Sequence, residues 1–302
     1  MSSPVTIGLV GCGSWGKLIL RDLVALGCRV HVVVRSERSR ANAKQYGASS
    51  LITSIEALPA IDGAVVAAPI EAHYECLQKL LPRAIPVFVE KPLVASLSQA
   101  ESLKPYAQHI FVMDKWRYHQ GVLKLAALVR DGVLGDIQSL SCTRWGWRSH
   151  ERNVDALWYL LPHDLAIVLE ILGFLPAVRF ARYEHHRGTV SGGIALLGDS
   201  PWVELRVSES RERHSREVRV HGSEAFAILP DSYSSTIALY DTAHASNGQP
   251  PSPELLPVVD EMPLLAELRA FVAYLKGSVA PKSGFADALA IVATLERIHE
   301  LG

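Results

Sequence analysis

Three glycines stand at the spacing GxGxxG between a short apolar run, Val5–Val10, and an amphipathic run, Trp15–Leu26. In a strand–turn–helix unit the first glycine permits the tight turn, the second lets the backbone approach a phosphate, and the third lets the helix pack on the strand. The N-terminus of the helix offers N–H groups and a partial positive charge to that phosphate. The spacing therefore predicts that this turn binds the pyrophosphate of a dinucleotide. The residues expected to contact it are Gly11, Gly13, Ser14, Trp15 and Gly16.

The residue type after the second predicted strand distinguishes NAD from NADP. An acidic side chain about 20 residues past the turn would bind the ribose 2′-hydroxyl of NAD. This chain instead has Arg35, Ser36 and Arg38 in that region. An arginine beside a hydroxyl suits a 2′-phosphate, because it can form charge-assisted, forked hydrogen bonds. We expect NADP to be preferred over NAD. The alternative is that the two arginines only solvate a helix start and that Glu37 reaches the ribose.

The elements around the turn follow the rhythm of βαβ units from Val5 to Met113, which predicts a parallel sheet with helices on its faces. Beyond this point, strands dominate between Ile137 and Tyr240, which predicts one open, mainly antiparallel sheet. Residues 241–257 have loop composition, and two helices close the chain. We therefore predict an α/β fold with an N-terminal Rossmann dinucleotide-binding domain at 1–117 and a C-terminal α/β domain at 118–302.

Composition argues against several classes of function. The 302 residues carry a formal net charge of −1, so nothing favours nucleic acid or an anionic membrane as partner. The stretch Arg206–Arg219 mixes both signs of charge, which predicts a solvated hairpin tip. The four cysteines form no CxxC pair and His185-His186 has no local ligand partner, so we expect no metal site. No apolar run approaches the ~18 residues of a membrane span, and we expect a cytoplasmic protein.

A second candidate site, Glu90-Lys91-Pro92, ends the predicted strand Pro86–Val89, at the sheet edge where open α/β folds bind ligands. With this segment the chain resembles the glucose–fructose oxidoreductase/inositol dehydrogenase/MocA family, written Gfo/Idh/MocA. The elements that carry the resemblance are the turn Gly11–Gly16, Ala67-Ala68-Pro69 with His73, Glu90-Lys91-Pro92, Trp116-Arg117-Tyr118, Gly135-Asp136-Ile137 and His163-Asp164. They extend over essentially the whole chain.

The resemblance implies NAD(P)-dependent oxidation of a secondary alcohol, or reduction of a ketone, on a sugar, cyclitol or nucleotide-sugar-like substrate. It implies that the second domain binds substrate and that its sheet forms a homodimer or homotetramer. It further implies that Lys91 is the catalytic lysine, that Pro92 follows a cis peptide and that His163 is a second proton-handling residue. Further implied cofactor contacts are Ala68, Pro69, His73, Glu90, Lys91 and Arg117, and implied substrate contacts are Lys91, Tyr159, His163 and Asp164.

Proton chemistry supports the two implied catalytic roles. Hydride leaves a carbinol carbon only as the hydroxyl proton is removed, and a positioned acid/base group contributes ~10²–10⁴-fold. Lysine can serve if burial or a nearby cation lowers its pKa, and histidine titrates near neutrality. Pro162 predicts a helix start, which would place His163 at a positive helix end and favour its neutral form. The alternatives are a surface ion pair between Lys91 and Glu90, and a core role for His163.

Two features leave the substrate and the reaction open. Many relatives carry Asp four residues before the histidine, whereas this chain has Tyr159, which donates a hydrogen bond but supplies no carboxylate near neutral pH. The run Arg144–Arg152 suits sugar stacking and anion recognition, with Trp145 as a candidate substrate contact, or else forms an edge strand at an oligomer interface. The leading hypothesis is a sugar or ketosugar oxidoreductase that prefers NADP. The alternative is a non-catalytic NAD(P)-binding sensor or scaffold of the same fold.

Overall fold

A computed structural model of the chain describes residues 3–147, 155–242 and 251–302. They form two compact units, Met1–Lys115 with Met262–Val292, and Trp116–Glu261 with Ala293–Gly302. The predicted boundary after residue 117 lies close to the first division. The return of residues 262–292 to the first unit differs from the prediction, since periodicity reveals an apolar helix face but not the core that receives it.

The fourteen strands and eight helices in the described residues follow one another in two groups. The strands are β1 (Thr6–Val10), β2 (Arg29–Val33), β3 (Ser50–Ile52), β4 (Gly63–Val66), β5 (Val87–Glu90), β6 (Ile110–Met113), β7 (Ile137–Trp147), β8 (Val178–His186), β9 (Thr189–Leu197), β10 (Trp202–Ser208), β11 (Ser210–Gly222), β12 (Ala225–Leu229), β13 (Thr236–Asp241) and β14 (Glu254–Pro257). The helices are α1 (Gly16–Ala25), α2 (Glu37–Gln45), α3 (Ile70–Leu80), α4 (Leu97–Ser102), α5 (Gln120–Arg130), α6 (Ala156–Leu172), α7 (Pro263–Leu275) and α8 (Phe285–Leu301).

The first unit is built on a six-stranded sheet in the order β3-β2-β1-β4-β5-β6. Each neighbouring pair in it is parallel, which confirms the predicted Rossmann sheet. Strands such as Gly63–Val66 and Ile110–Met113 are buried along their whole length, as parallel strands covered on both faces must be. Because all six run the same way, their carboxyl ends share one edge of the sheet.

Helix α7 completes the core of the first unit. Its residues Leu264, Leu268 and Phe271 are buried with Phe88 of β5 and Phe111 of β6. The rings of Phe88 and Phe271 stack with centroids 4.9 Å apart. This contact explains why residues 262–292 belong with the N-terminal part of the chain.

The second unit is built on an eight-stranded sheet in the order β14-β13-β12-β11-β7-β10-β9-β8. Strands β7 and β10 pair in parallel, and the other neighbours are antiparallel. The prediction of an open, mainly antiparallel sheet is confirmed. Helix α6 packs against β7, β9 and β10, and α5 packs against β12 and β13, so the two helices cover one face of the sheet.

Two local predictions for this unit are wrong. Arg206–Arg219 forms no hairpin tip, because β10 and β11 lie on opposite sides of β7 instead of pairing with each other. The predicted loop 241–257 contains β14, which pairs with β13, while residues 243–250 lie outside the described part of the chain. Both errors concern partners distant in sequence, which local charge and turn residues do not reveal. None of the described helices is both long and apolar enough to cross a membrane.

Candidate functional site

The glycine turn between β1 and α1 has one glycine that the packing of the protein does not require. Gly11 has a φ of +93°, and a Cβ there would lie 2.7 Å from the Ala67 carbonyl oxygen. A Cβ on Gly16 would collide with the Gly11 carbonyl oxygen. A Cβ on Gly13 would meet no described atom within 4 Å. The first and third glycines are therefore needed for folding, whereas the second leaves exposed backbone open to a ligand.

The start of α1 suits a phosphate group. No side chain from the described residues caps this helix, whose N-cap residue is Trp15. The first N–H groups of a helix have no partner within it, and together with the helix dipole they favour an anion. The open backbone at Gly13 and the uncapped helix therefore fit the pyrophosphate of a dinucleotide.

Helix α2 holds the turn in place through contacts that the sequence pattern does not reveal. The Cys12 N–H donates to Ser39 Oγ at 3.2 Å, and Asn42 Nδ2 donates to the Cys12 carbonyl at 2.8 Å. The predicted contacts Arg38 and Ser14 bind each other, with a distance of 3.2 Å from Nη2 to Oγ. Ser39 and Asn42 lie on a polar helix, and no motif spacing marks them in the sequence. Only their contacts in the structure identify them as residues that hold the glycine turn.

Arg35 and Ser36 lie where β2 ends and α2 begins. Ser36 is the N-cap of α2, and its hydroxyl accepts a hydrogen bond from Ser39 N at 3.2 Å. Arg35 is exposed. Glu37, the alternative ribose ligand, is 3.5 Å from Arg40 Nε. The Ser36 hydroxyl hydrogen and the Arg35 guanidinium thus remain suited to a phosphate.

His73 links the loop after β4 to the loop after β5. Its Nδ1 lies 3.0 Å from the Pro92 carbonyl and its Nε2 lies 2.9 Å from the Ala68 carbonyl. Burial lowers the pKa of His73. The Lys91–Pro92 peptide bond is cis, as the resemblance implied. This histidine braces the segments that carry Pro69 and Lys91, and its predicted contact with the cofactor stays a prediction.

Glu90 and Lys91 lie at the carboxyl end of β5, beside residues of the glycine turn. The Trp15 side chain hydrogen-bonds to Glu90, and burial raises the pKa of Glu90 to about 7 although Lys91 and Lys115 favour its ionised form. Lys115 Nζ lies 4.4 Å from the centroid of the Trp15 ring. The structure thus brings the turn, Glu90 and two lysines together at one edge of the first sheet.

In the second unit, the predicted helix start at Pro162 is wrong. Helix α6 begins at Ala156, and Asp155 caps it by accepting hydrogen bonds from Leu157 N at 2.9 Å and Trp158 N at 3.0 Å. Asp is a strong N-cap, and the buried apolar residues around Pro162 hold the helix together across the missing N–H. His163 therefore lies about two turns inside the helix, where the helix dipole no longer acts on it.

Tyr159 and His163 lie on one partly exposed stripe of α6, together with Glu170. Their spacing of four and seven residues places them on the same side of a helix. Arg117, a predicted cofactor contact, pairs with Glu170 over 3.1 Å between Nε and Oε2. The structure thus places the predicted residues Tyr159 and His163 on one side of α6, and it places Arg117 against Glu170, about two turns farther along the helix.

Asp164 lies on the buried side of the same helix. Its Oδ1 is 2.8 Å from Arg144 Nε, and both side chains are almost fully buried. The Arg144 guanidinium lies 4.5 Å from the centroid of the Trp116 ring. Asp164 thus binds Arg144 inside the unit, and its contact with a substrate stays a prediction.

Trp145 lies on the opposite face of the sheet from α6. Side chains alternate along a strand, so Arg144 faces the helix and Trp145 faces away, with its ring centroid 5.6 Å from the Arg206 guanidinium. The structure therefore separates Trp145 from Tyr159 and His163. The rest of the predicted aromatic and basic run, residues 148–152, lies outside the described residues.

Comparison with known proteins gives this geometry a family context. Residues 5–110 match the model of the Gfo/Idh/MocA oxidoreductase family, described as having an NAD-binding Rossmann fold. Myo-inositol dehydrogenase Hyg17 of Streptomyces leeuwenhoekii is 31% identical over 144 residues, which cover 45% of this chain and 44% of that protein. The chain thus spans about half the length of the relatives that it matches.

Solved structures match the fold along nearly its whole length. UDP-N-acetylglucosamine 3-dehydrogenase GnnA from Acidithiobacillus ferrooxidans has a TM-score of 0.85 at 18% identity, over 99% of this chain and 98% of that one. A mutant of KijD10, a 3-ketoreductase from Actinomadura kijaniata, solved with TDP-benzene and NADP, has a TM-score of 0.82 at 18% identity, with 99% and 98% coverage. These matches show the fold.

Two alanine variants of the glycine turn separate ligand binding from packing. We expect Gly13→Ala to leave the free energy of unfolding within ~0.5 kcal/mol and to weaken NAD(P) binding about tenfold or more, because its methyl group occupies the open backbone. Gly16→Ala should cost about 1–3 kcal/mol of stability, since it overpacks helix against strand. Denaturant unfolding and calorimetric titration measure both effects. Unchanged affinity in Gly13→Ala would contradict this assignment of the turn.

The family context agrees with the site geometry at several independent points. The glycine turn, the cis peptide after Lys91 and most of the parallel sheet occur in the segment that the family model matches, and the solved structures cover both sheets of this chain. The first unit carries an NAD(P)-binding Rossmann fold. Over residues 5–110, the segment that forms this fold, the chain matches the Gfo/Idh/MocA oxidoreductase family.

Proposed function

We propose that this protein is an NAD(P)-dependent oxidoreductase that transfers hydride between the nicotinamide and a secondary alcohol or ketone. Its substrate would be a sugar, a cyclitol or a nucleotide-sugar-like molecule. The observation that carries the proposal is the open backbone at Gly13, at the same sheet edge as Lys91. The names of related proteins, which act on inositol and on nucleotide-linked sugars, support this substrate class. Turnover of NAD(P) across a panel of sugars, ketosugars and cyclitols tests it.

Different residues of the first unit would bind different parts of the cofactor. Backbone N–H groups of the turn and of α1 would bind the pyrophosphate. Arg35 and Ser36 would bind a 2′-phosphate, so we propose that NADP is preferred. The exposed guanidinium and the Ser36 hydroxyl support this preference, because a forked cation recognises phosphate better than it recognises a ribose hydroxyl. The bound nicotinamide supplies the hydride chemistry.

We propose that Lys91 accepts or donates the proton of the reacting oxygen and that His163 is the second proton-handling residue. Lys91 follows a strand end whose backbone is braced by His73, so its ammonium group is presented from a fixed segment. His163 lies about two turns inside α6, away from the N-terminus of the helix. Tyr159, one turn before His163, would orient a substrate hydroxyl or carbonyl by a hydrogen bond. Trp145 faces away from α6, so it is not part of this proposed substrate site.

Replacing Lys91 by methionine tests the proton-transfer role. We expect Lys91→Met to lower kcat by about 10²–10⁴-fold while NADP still binds, because the methylene chain remains and only the ammonium group is lost. Lys44→Met, at an exposed position on α2, is the matched control and should retain activity. Nearly full kcat in Lys91→Met would refute the assignment. Binding of NADP without turnover of any substrate by the wild type would favour the sensor hypothesis.

The cofactor preference has its own test. We expect Arg35→Asp to shift the ratio of kcat/KM values from NADPH toward NADH by about tenfold or more, because a charge-assisted hydrogen bond contributes ~1.5–3 kcal/mol. Arg29→Asp, at the opposite end of β2, should leave the ratio unchanged. An unchanged ratio in Arg35→Asp would show that the 2′-phosphate is bound elsewhere or not recognised.

We also propose that the face of the second sheet opposite α5 and α6 joins copies of this chain into a homodimer or homotetramer. This face carries a row of stacked rings, with His221 and Phe226 4.9 Å apart and Phe226 and Tyr240 4.5 Å apart. Trp202, on the same face, is 42% exposed. Exposed aromatic rows of this kind are typical of interfaces.

Light scattering tests the oligomer. We expect the wild type to have at least twice the monomer mass and Trp202→Glu to shift the mass toward the monomer, because the new carboxylate would be desolvated in the interface. Tyr233→Glu, in a turn outside the stacked row, is the control. A monomeric wild type at micromolar concentration would overturn this proposal.

A further inference from the structure

Helix α7 carries a carboxyl group on its apolar side. Glu267 is only 1% exposed, and it shares a buried stripe with Leu264, Leu268 and Phe271. Its Oε2 accepts no hydrogen bond from any residue that the structure describes. A buried carboxyl group with an oxygen that lacks such a partner is costly to ionise. Its place on the stripe therefore calls for an explanation beyond packing.

The position of Glu267 follows from the packing of α7 on the sheet. Phe271 stacks on Phe88, and Glu267 lies one helical turn earlier, while Glu90 lies two residues farther along β5. Asp114 follows Met113, the residue paired with Glu90 across β5 and β6. Glu267 interacts electrostatically with Glu90, Asp114 and Lys115. The three carboxyl groups, here called the carboxyl cluster (Glu90, Asp114 and Glu267), therefore lie in the same region, at the sheet edge that carries Lys91.

The charges around the carboxyl cluster do not balance if every group is ionised. Counted over these groups alone, three carboxylates would face two ammonium groups, Lys91 and Lys115, so the five groups together would carry one net negative charge. If one carboxyl group keeps its proton, the five groups sum to zero. Burial and the neighbouring carboxylates raise the pKa of Glu267 well above its ordinary value, whereas Glu90 receives a hydrogen bond from Trp15 and faces both lysines. Glu267 is thus the member best suited to keep the proton.

We propose that Glu267 is a positioning residue, which holds a proton in the carboxyl cluster and thereby fixes the charge that this cluster presents to Lys91 and Lys115. Glu267 does not contact the reacting atoms in this scheme. It acts through Glu90, whose charge determines how strongly the ammonium form of Lys91 is favoured. The effect on catalysis rests on the proposed role of Lys91, but the protonation of Glu267 does not.

The first test uses the protein without ligands and measures unfolding by denaturant as a function of pH. A carboxyl group whose pKa is raised by folding binds a proton more tightly in the folded state, so its contribution to stability falls as pH rises above the unfolded value. We expect the unfolding constant of the wild type to rise by up to tenfold more per pH unit than that of Glu267→Gln between about pH 5 and pH 8. Glu101→Gln, an exposed control on α4, should follow the wild type. Parallel curves for wild type and Glu267→Gln would overturn the proposal.

The second test observes the protonated carboxyl group directly. Infrared spectra of the wild type at about pH 8, one unit above the pKa of Glu90, should still show the carbonyl stretch of a neutral, buried carboxylic acid. Absence of this band would overturn the proposal. The band should disappear in Glu267→Gln.

A pH profile of kcat then tests the link to Lys91. Glu267→Gln should keep its activity at neutral pH, since the amide replaces a neutral acid, and its alkaline limb should move to lower pH because no carboxylate forms behind Lys91. An unmoved limb together with the expected infrared band would disprove only the link to Lys91. Loss of the band would disprove the protonation of Glu267, whatever the role of Lys91.

Discussion

The close approach of backbone to backbone at Gly11 and Gly16 is the constraint on which the first unit depends. Gly16 rests against the carbonyl of Gly11, and Gly11 rests against the carbonyl of Ala67. No side chain fits at either point, so the N-terminus of α1 is held against the carboxyl ends of β1 and β4. Because the strands are parallel, the same edge also receives the segments after β5 and β6. The open backbone of Gly13 and the segment that carries Lys91 lie at one edge of the sheet for this reason.

Two side chains, those of His73 and Trp15, link the loops at this edge to one another. His73 joins the carbonyl groups of Ala68 and Pro92, which fixes the path of the chain on both sides of the site. Trp15 belongs to the glycine turn, yet it donates to Glu90 and lies under Lys115. Residues that a pattern would assign to the ligand therefore also hold the site together. Substituting either residue would disturb geometry as well as binding, which is why smaller changes at Gly13 and Lys91 are more informative.

In the second unit, a buried ion pair holds the helix that carries the candidate residues in place. Arg144 and Asp164 join the central strand β7 to α6, and Trp116 covers the guanidinium. Removing one partner of such a pair leaves an uncompensated charge and costs about 3–5 kcal/mol. The pair sets the rotation of α6 and so turns Tyr159, His163 and Glu170 to its partly exposed side. The Asp164 carboxylate thus fixes the orientation of α6 through a contact on the buried side of the helix.

The sequence by itself determined the Rossmann unit, the glycine turn and the class of the second sheet, while the cis peptide after Lys91 was implied by the family resemblance. These features depend on residues close together in the chain, such as three glycines between a strand and a helix, or alternating burial along strands. The sequence also revealed the resemblance to the Gfo/Idh/MocA family, since the motifs that carry this resemblance keep their order along the chain.

Only the tertiary structure decided which side chains face each other. It moved the start of α6 from Pro162 to Ala156, because the Asp155 cap and distant apolar contacts outweigh one missing N–H. It placed Trp145 on the far side of the sheet, and it returned α7 to the first unit, where Glu267 meets Glu90 and Asp114. A carboxyl group on an apolar helix stripe was visible in the sequence, but its partners lie more than 150 residues away along the chain. Contacts over such distances depend on packing, which no local pattern records.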